Sequence, residues 1–342
     1  KMKMICFFTM ILTVSVLISF QTAVSQERES DINGTDSLEF KTETIEVDAL
    51  KGIERYTPVT FENIERSEVE KKYSVQDIPM FLNGYTGINS YSESGANVGY
   101  SYLTLRGFDQ RRLSILINGI PQNDPEDHQV YWVDISDLAA SVESIQIQRG
   151  VGTGLYGSSA IGGVINIETI DFFKRKFLNL TAGYGDFNTR KYSFEYSSGN
   201  VSNGFGFYGK FTKINTDGYR DLSWSDHFSY FLSAGKITGK NSVLKLNLFG
   251  SPVKNHLAYL GVDRDALDGK ISGDQNKDRR INYLTYPDET DNYFQPHYEL
   301  VFNIQPSKNL YVSNTLSYIR GDGYFNTSFP VDYGYDFSYF RL

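Results

Sequence analysis

From residue 178 onward the chain is written in ribbons that alternate strictly between two kinds of side chain, and few architectures accept such a pattern. Leu178, Leu180, Ala182 and Tyr184 share one face of an extended chain, as do Tyr192, Phe194 and Tyr196, while Lys191, Ser193, Glu195 and Ser197 take the other. The pattern recurs in Phe205, Phe207 and Phe211, in Phe228, Tyr230, Leu232 and Ala234, and in Leu244, Leu246 and Leu248. It returns in Tyr298, Leu300 and Phe302, then in Leu310, Val312, Leu316 and Tyr318. Both a soluble sandwich and a membrane barrel alternate in this way. Connector lengths separate them. Ser197 to Asn203, Thr238 to Asn241 and Gln305 to Asn309 are short, whereas Thr216 to Asp226, Ser251 to Asp291 and Gly321 to Tyr335 are longer. Short connectors on one rim and long ones on the other are the habit of membrane barrels; only Asp186 to Asn188, on the long-loop side, is brief.

Composition supports lipid as the solvent. The 25 Tyr and 24 Phe stand against only 2 Trp in 342 residues, and rings of this kind gather at membrane interfaces. After residue 25 no apolar stretch of about 20 residues occurs, which excludes a helical membrane protein. Seven ribbons and the start of an eighth precede Arg341 and Leu342, and an open sheet in lipid leaves backbone groups unpaired. The sequence is therefore expected to be a fragment of a longer chain.

Lys1 and Lys3, the apolar run from Met4 to Phe20, and the small residues Ala23 and Ser25 predict a secretory signal peptide over residues 1–25. A transmembrane helix is the alternative, but no stop-transfer flank follows. Since Lys is the first residue, the start codon is expected at Met2, Met4 or upstream. Cys6, the only cysteine, falls inside the signal, so the mature part has neither disulfides nor thiolate metal sites, and no lipid-anchor cysteine follows. Removing Lys1 and Lys3 takes the net charge from −8 to about −10, which argues against nucleic acid as a partner.

Residues 26–41 read as a disordered polar leader. A small mixed α+β domain fits residues 42–170, with a helix over Glu62 to Lys72, a second over Val75 to Leu82, strands at Tyr100 to Leu105 and Leu113 to Asn118, and a helix over Val133 to Ser141. Two further strands, Val142 to Gln148 and Gly163 to Thr169, flank a glycine-rich segment that must fold tightly. Residues 171–342 form the barrel part.

Chemistry-bearing motifs are few. Gly152 to Gly157 matches G-x-G-x-x-G after a strand, but a turn and a strand follow where a dinucleotide site needs a helix. Asn123 to His128 gathers oxygen ligands of the sort a hard cation takes, although a solvated loop is the better reading. Asp274 to Asp278 imitates the start of an EF-hand, yet Arg279 stands where glycine is required. His128, His227, His256 and His297 have no metal-ligand spacing, and Gly157 to Ile161 lacks the second glycine of a nucleophile elbow. No cofactor, resident metal or catalytic residue is expected.

Taken together, Leu103-Thr-Leu-Arg-Gly-Phe108, Ile115-Leu-Ile-Asn-Gly-Ile-Pro121 and the stretch Val142 to Thr169 closely resemble the plug domain of TonB-dependent outer-membrane receptors, of the iron-complex type met in Bacteroidetes. Arg106, Gly107 and Phe108 match the family's Arg-Gly-Phe element. Gly119 and Pro121 match its aspartate-glycine-x-proline turn, with Asn118 in place of the aspartate. Arg149, Gly150, Gly157, Gly162 and Gly163 belong to the same structural motif, and Arg106 and Arg149 are expected to pair with acids between plug and barrel wall.

The resemblance implies an α+β plug followed by the first third of an antiparallel transmembrane β-barrel of about twenty-two strands. It implies a receptor in the outer membrane that imports a scarce bulky nutrient, with TonB of the inner-membrane complex and membrane lipid as partners. Thr44, Ile45, Glu46, Val47, Asp48 and Ala49 lie where the family carries the TonB box, an extended segment that adds to a partner's sheet edge; an ordinary first plug strand is the alternative. Ligand contacts are expected from outward loops, with Tyr91, Tyr100, Asn123, Asp124, Glu126, His128 and Tyr131 as candidates. An iron chelate, either siderophore or haem, leads as cargo, and cobalamin and glycans follow. No carboxypeptidase-like domain precedes the plug, which places starch-utilisation glycan receptors further back. The competing classes are a passive adhesion or structural barrel and an outer-membrane hydrolase.

Overall fold

The computed structural model describes residues 52, 59–150, 161–239, 241–307 and 310–327. The signal peptide and leader, the segment Thr44 to Ala49, Gly157 and the start of the eighth ribbon lie outside the described residues. All described residues fall in one unit that runs from Glu43 to Leu342.

The N-terminal domain is built on a five-stranded sheet of β1 (Thr60–Glu65), β5 (Leu113–Ile117), β6 (Ile120–Pro121), β7 (Val142–Arg149) and β8 (Gly163–Thr169), in the order β1-β7-β8-β5-β6. Its centre is β-branched and buried on both faces, which suits a parallel pair covered from either side. Ile115 and Ile117 lie opposite Ile165 and Ile167 in the parallel β5–β8 pair, and the same two isoleucines meet Ile147 and Ile145 of β7 from the other side. All six are fully buried. A smaller sheet of β2 (Ile88–Ser92), β3 (Ser101–Leu105) and β4 (Phe108–Asp109) packs beside it.

Three expectations for this domain need correction. The helix expected over residues 62–72 is confined to α1 (Arg66–Lys72), because Thr60–Glu65 pairs with β7 and carries Ile64 into the core opposite Ile145. A free sheet edge outweighs local helical preference there. The second helix shortens to α2 (Ile78–Leu82), with Pro79 in its first turn, where a missing N–H costs nothing. Residues 133–141 are two 3-10 turns, Trp132–Ile135 and Leu138–Ser141, parted by Asp137 in the left-handed region at φ 59°.

The remaining chain is a curved antiparallel wall. Seven long strands, β9 (Lys176–Gly185), β10 (Thr189–Ser198), β11 (Phe205–Thr216), β12 (Ser225–Ile237), β13 (Ser242–Gly250), β16 (His297–Ser307) and β17 (Leu310–Ile319), are neighbours in that order. With 9 to 13 residues each, they have the length a tilted membrane strand requires. The connector 251–291 is more structured than a plain loop. It holds β14 (Val253–His256), α3 (Arg264–Leu267), α4 (Gln275–Asp278) and the first residues of β15 (Thr290–Phe294), which pairs with β14 and β18 (Asp322–Phe325). The EF-hand-like carboxylate of Asp278 is consumed inside this loop, where it accepts from the backbone N–H groups of Ile271 and Ser272.

Wall side chains divide as the alternation requires. Leu180, Tyr192, Phe207, Leu246, Leu300 and Leu316 point outward and stay exposed, whereas Lys191, Glu195, Lys210, Thr212, Ser229, Asn247 and Glu299 point inward and are buried. Among the described residues no helix is long and apolar enough to cross a membrane. The outward row is the apolar face that a membrane-spanning strand turns to lipid. Leu246→Arg, in mid-strand on that row, is expected to destabilise the full-length protein in bilayers by about 2–4 kcal/mol. An unchanged denaturant midpoint would show that the row does not face hydrocarbon.

Candidate functional site

Inward-facing polar groups of the wall meet polar groups of the N-terminal domain, and one carboxylate collects most of the bonds. Asp137 lies between the two 3-10 turns, and its left-handed backbone turns the side chain toward β10 and β11. The ammonium of Lys191 donates to its Oδ1 at 2.6 Å and to the Ser74 carbonyl at 2.7 Å. Lys210 donates to the Asp137 carbonyl at 2.8 Å and pairs with Oδ2, Thr212 donates to Oδ2 at 2.7 Å, and the Tyr73 hydroxyl donates to Oδ1. Burial alone would raise the Asp137 carboxyl, but Lys210 and Lys191 beside it hold it well below the usual carboxylate range.

Further along the seam, Arg66 of α1 donates to the carbonyls of Ala140 and Val142 at 3.1 Å and lies 3.5 Å from Glu195 of β10. Tyr208 of β11 donates to Glu195 at 2.8 Å and lies 3.1 Å from Ser141. His227 of β12 lies between Ser136 and Asn255 at 3.0 and 2.7 Å. Asn118, at φ 52°, occupies the hairpin turn with Gly119; its Oδ1 accepts from the N–H and hydroxyl of Thr169 while its Nδ2 donates to Glu299 of β16 at 3.0 Å. Asn247 donates to the same oxygen of Glu299, also at 3.0 Å. The substituted turn residue thus carries a donor where an aspartate would set one carboxylate against another.

The outer end, on the side of the long connectors, is tied by different groups. Arg220, buried in the loop after β11, donates to the carbonyls of Glu93, Ala258, Leu260 and Ile281, so one guanidinium joins the tip of the small sheet to the 251–291 connector. Tyr100 donates to Asp291 at 2.9 Å. Neither Arg220 nor the pair Lys191 and Lys210 has a sequence motif; Lys191 showed only as a cation beside Ser193, Glu195 and Ser197 on the inward face, and Lys210 was not singled out.

Residues singled out as ligand candidates fall into two groups. Tyr91 is 57 % exposed and stacks on Tyr102 at 5.1 Å, and Tyr131, 39 % exposed, donates to Asp127 at 2.6 Å. Glu126 and His128 are also exposed. Asn123 is spent on its own loop: its Oδ1 accepts from Ile115, and its Nδ2 faces the carbonyls of Gln110, Leu113 and His128. Asp124 accepts from the Glu126 N–H in a local turn, and Tyr100 is engaged by Asp291. Among the described residues no group of three or more His, Cys, Asp or Glu side chains is placed to hold a metal ion.

The motif residues are structural in placement. Arg149 pairs with Glu62 of β1 and donates to the Thr86 carbonyl, so its partner lies inside the N-terminal domain and not on the wall as expected. Arg106 is exposed, and Phe108 packs its Cβ where a side chain on Gly162 would fall, 2.6 Å away. A side chain on Gly163 would strike the Gln148 carbonyl and Leu105, so this strand start admits glycine only. Gly107, Gly119 and Gly150 adopt positive φ, and Pro121 pairs with Leu116 in β6.

Residues 53–164 match the family described as TonB-dependent Receptor Plug Domain. The chain is 29% identical over 194 residues to a probable TonB-dependent siderophore receptor, PirA, of Acinetobacter baumannii, covering 52% of this chain and 25% of that protein. It is 24% identical over 204 residues to the vitamin B12 transporter BtuB of Vibrio vulnificus, covering 60% and 32%. The siderophore receptor PiuA from Acinetobacter baumannii superimposes with a TM-score of 0.61 at 17% identity, over 78% of this chain and 37% of that one. The chain spans between a quarter and a third of the length of these two curated relatives.

Two measurements test the seam. Asn118→Asp is expected to loosen the domain from the wall by about 1–3 kcal/mol, read as faster amide exchange over residues 113–121, and Glu299→Gln in the same molecule is expected to restore it. Unaltered exchange in the single variant would mean that the contact contributes nothing. Asp134, buried near Asp291, has its carboxyl pushed up from 3.8 to about 8 by burial first and by that neighbour second. The folded state therefore holds a proton that the unfolded chain has lost, so stability is full below about pH 4 and declines as pH rises to about 8. Asp134→Asn should flatten that slope in a pH series of thermal unfolding.

Proposed function

The chain carries the plug domain of a TonB-dependent receptor and strands of the barrel that receives it, and from that premise we propose that it imports a scarce, bulky nutrient across the outer membrane, an iron chelate such as a siderophore or haem in the first place. The observation that carries this reading is the seam itself. A folded domain is bonded by buried polar groups to the inward row of a wall whose other face suits lipid, so the lumen is obstructed on this side. Cargo too large for a porin needs work done on such an obstruction.

That work comes from TonB acting on Thr44 to Ala49, a segment that alternates polar and apolar residues and precedes the edge strand β1. Strand addition to a partner sheet would transmit a pull straight into β1. Tyr91, Tyr131, Glu126 and His128, exposed at the outer end, are the groups available to cargo. The signal read over residues 1–25 accounts for export, and the apolar outward row of the wall for residence in the outer membrane. Cobalamin is the second reading. Glu93, Asp124, Glu126 and Asp127 make the outer end acidic, which favours a neutral solute over a polyanionic chelate.

The full-length receptor, expressed in cells that lack other receptors of this kind, is to be offered labelled ferric enterobactin, haemin and cyanocobalamin separately. Import of one of them, abolished both by a protonophore and by Ile45→Pro or Val47→Pro while surface binding persists, is the expected result. Binding without import of any solute would favour a passive barrel, and release of product from a purified receptor would favour a hydrolase.

A further inference from the structure

The outward face of the wall changes chemistry from rung to rung toward the end that carries the long connectors. One rung holds Phe194, Phe211 and Tyr230, each opposite the next on β10, β11 and β12. The rung beyond it holds Tyr192, Lys213 and Phe228, and the outermost holds Arg190, Asn215, Asp226 and, on β14, Lys254. Rings followed by a polar row mark the level at which a strand leaves hydrocarbon for headgroups. The outermost rung therefore lies at the headgroups of the outer leaflet. At the other rim the same row of β12 ends on Lys236, which lies over the Phe205 ring at 4.6 Å.

A groove of about 260 Å³ opens on the outermost rung, lined among others by Asn188, Arg190, Asn215, Asp217, Trp224 and Asp226. Lys213 pairs with Asp226 and neutralises it. Arg190 donates from its Nε to Asn188 at 3.0 Å, which leaves the two terminal nitrogens of its guanidinium without a partner among the described residues. Lys254 flanks the groove over the Trp224 ring at 5.8 Å, also without an acidic partner among the described residues. Both cations are exposed. Three cations thus stand against the carboxylates of Asp217 and Asp226, a local positive excess in a chain whose net charge is −8.

We propose that this groove seats the phosphorylated sugar headgroup of an outer-leaflet saccharolipid, with the acyl chains of that lipid against Tyr192, Phe211 and Phe228. The free fork of Arg190 suits bidentate recognition of one phosphate. Lys254 answers a second phosphate three strand spacings of about 4.8 Å away. One glycerophosphate cannot span that distance, whereas a disaccharide phosphorylated at both ends can. Asn188 and Asn215 offer amides to the sugar hydroxyls between. A lipid held in this way bridges β10 to β14, the strand that opens the 251–291 connector. The site goes beyond the import reading: it requires only that the wall stand in the outer membrane, whichever solute passes.

The test uses the full-length receptor, purified in detergent and stripped of lipid, with deep-rough lipopolysaccharide as the probe and bound lipid counted by native mass spectrometry across a titration. Arg190→Gln and Lys254→Gln each remove one cation, and Lys236→Gln at the opposite rim is the control. Each of the first two is expected to weaken binding about tenfold, and the control to leave it unaltered. Lys254→Arg, which keeps the charge, is expected to keep binding and so separates a lost cation from a lost fold. Phosphatidylglycerol and millimolar inorganic phosphate, offered as competitors, are expected not to displace the probe. Binding that neither glutamine weakens, or that Lys236→Gln weakens equally, overturns the site. Displacement by inorganic phosphate would make it a simple anion site, displacement by phosphatidylglycerol a general acidic-lipid surface, and either overturns the saccharolipid assignment. Import is not measured, so failure of the import reading leaves this result intact, and failure of this one leaves import untouched.

Discussion

Docking depends on the bonds that Asp137 makes to Lys191, Lys210 and Thr212 of the wall and to Tyr73 of its own domain. Two surfaces that both face a lumen are largely polar, so burying oil joins them only in part. Each buried polar atom must find a partner at the interface or cost its full desolvation. One carboxylate with two ammonium groups, a hydroxyl and a phenol answers that demand, and the left-handed turn at Asp137 is the local strain that aims it. Removing one partner from such a cluster strands a charge, which is why a contact of this kind is an all-or-none anchor more than a graded adhesive.

Polar docking also leaves room for unequal seams. Where the wall offers aromatic side chains inward, as at Phe231 and Phe249, they join one buried cluster with Ile135 and Leu138 of the N-terminal domain. Where it offers Gly183, Ser193 and Thr181 a gap remains, bridged by ion pairs and by Lys191 on the Ser74 carbonyl. The residues that distinguish the two kinds of contact sit on different strands of one sheet.

Much of the fold was legible in the residues. Period-two alternation has a direct physical reading, and the rows of Leu180, Tyr192, Phe207 and Leu246 face out as that reading demands, because one face of each strand must meet solvent lipid and the other the lumen. The corrections fall where tertiary pairing overrode local preference. Residues 60–65 form a strand because β7 offers an edge, and residues 133–141 break in two because the Asp137 side chain is called to the wall. The site was less legible. Tyr91 and Tyr131 do stand at the outer surface, but Tyr100 and Asn123, from the same two stretches of chain, are occupied by bonds no spacing reveals.

By itself the sequence determined an α+β domain followed by ribbons with one apolar face, since alternation, glycine placement and turn chemistry act over a few residues and need no distant partner. Only the tertiary structure decided which inward groups touch. The meeting of Asn118 with Glu299, of Asp137 with Lys191 and Lys210, and of Arg220 with four separate carbonyl groups joins residues tens to nearly two hundred positions apart. Such pairings are set by strand register and wall curvature, which are properties of the whole sheet and of no single segment.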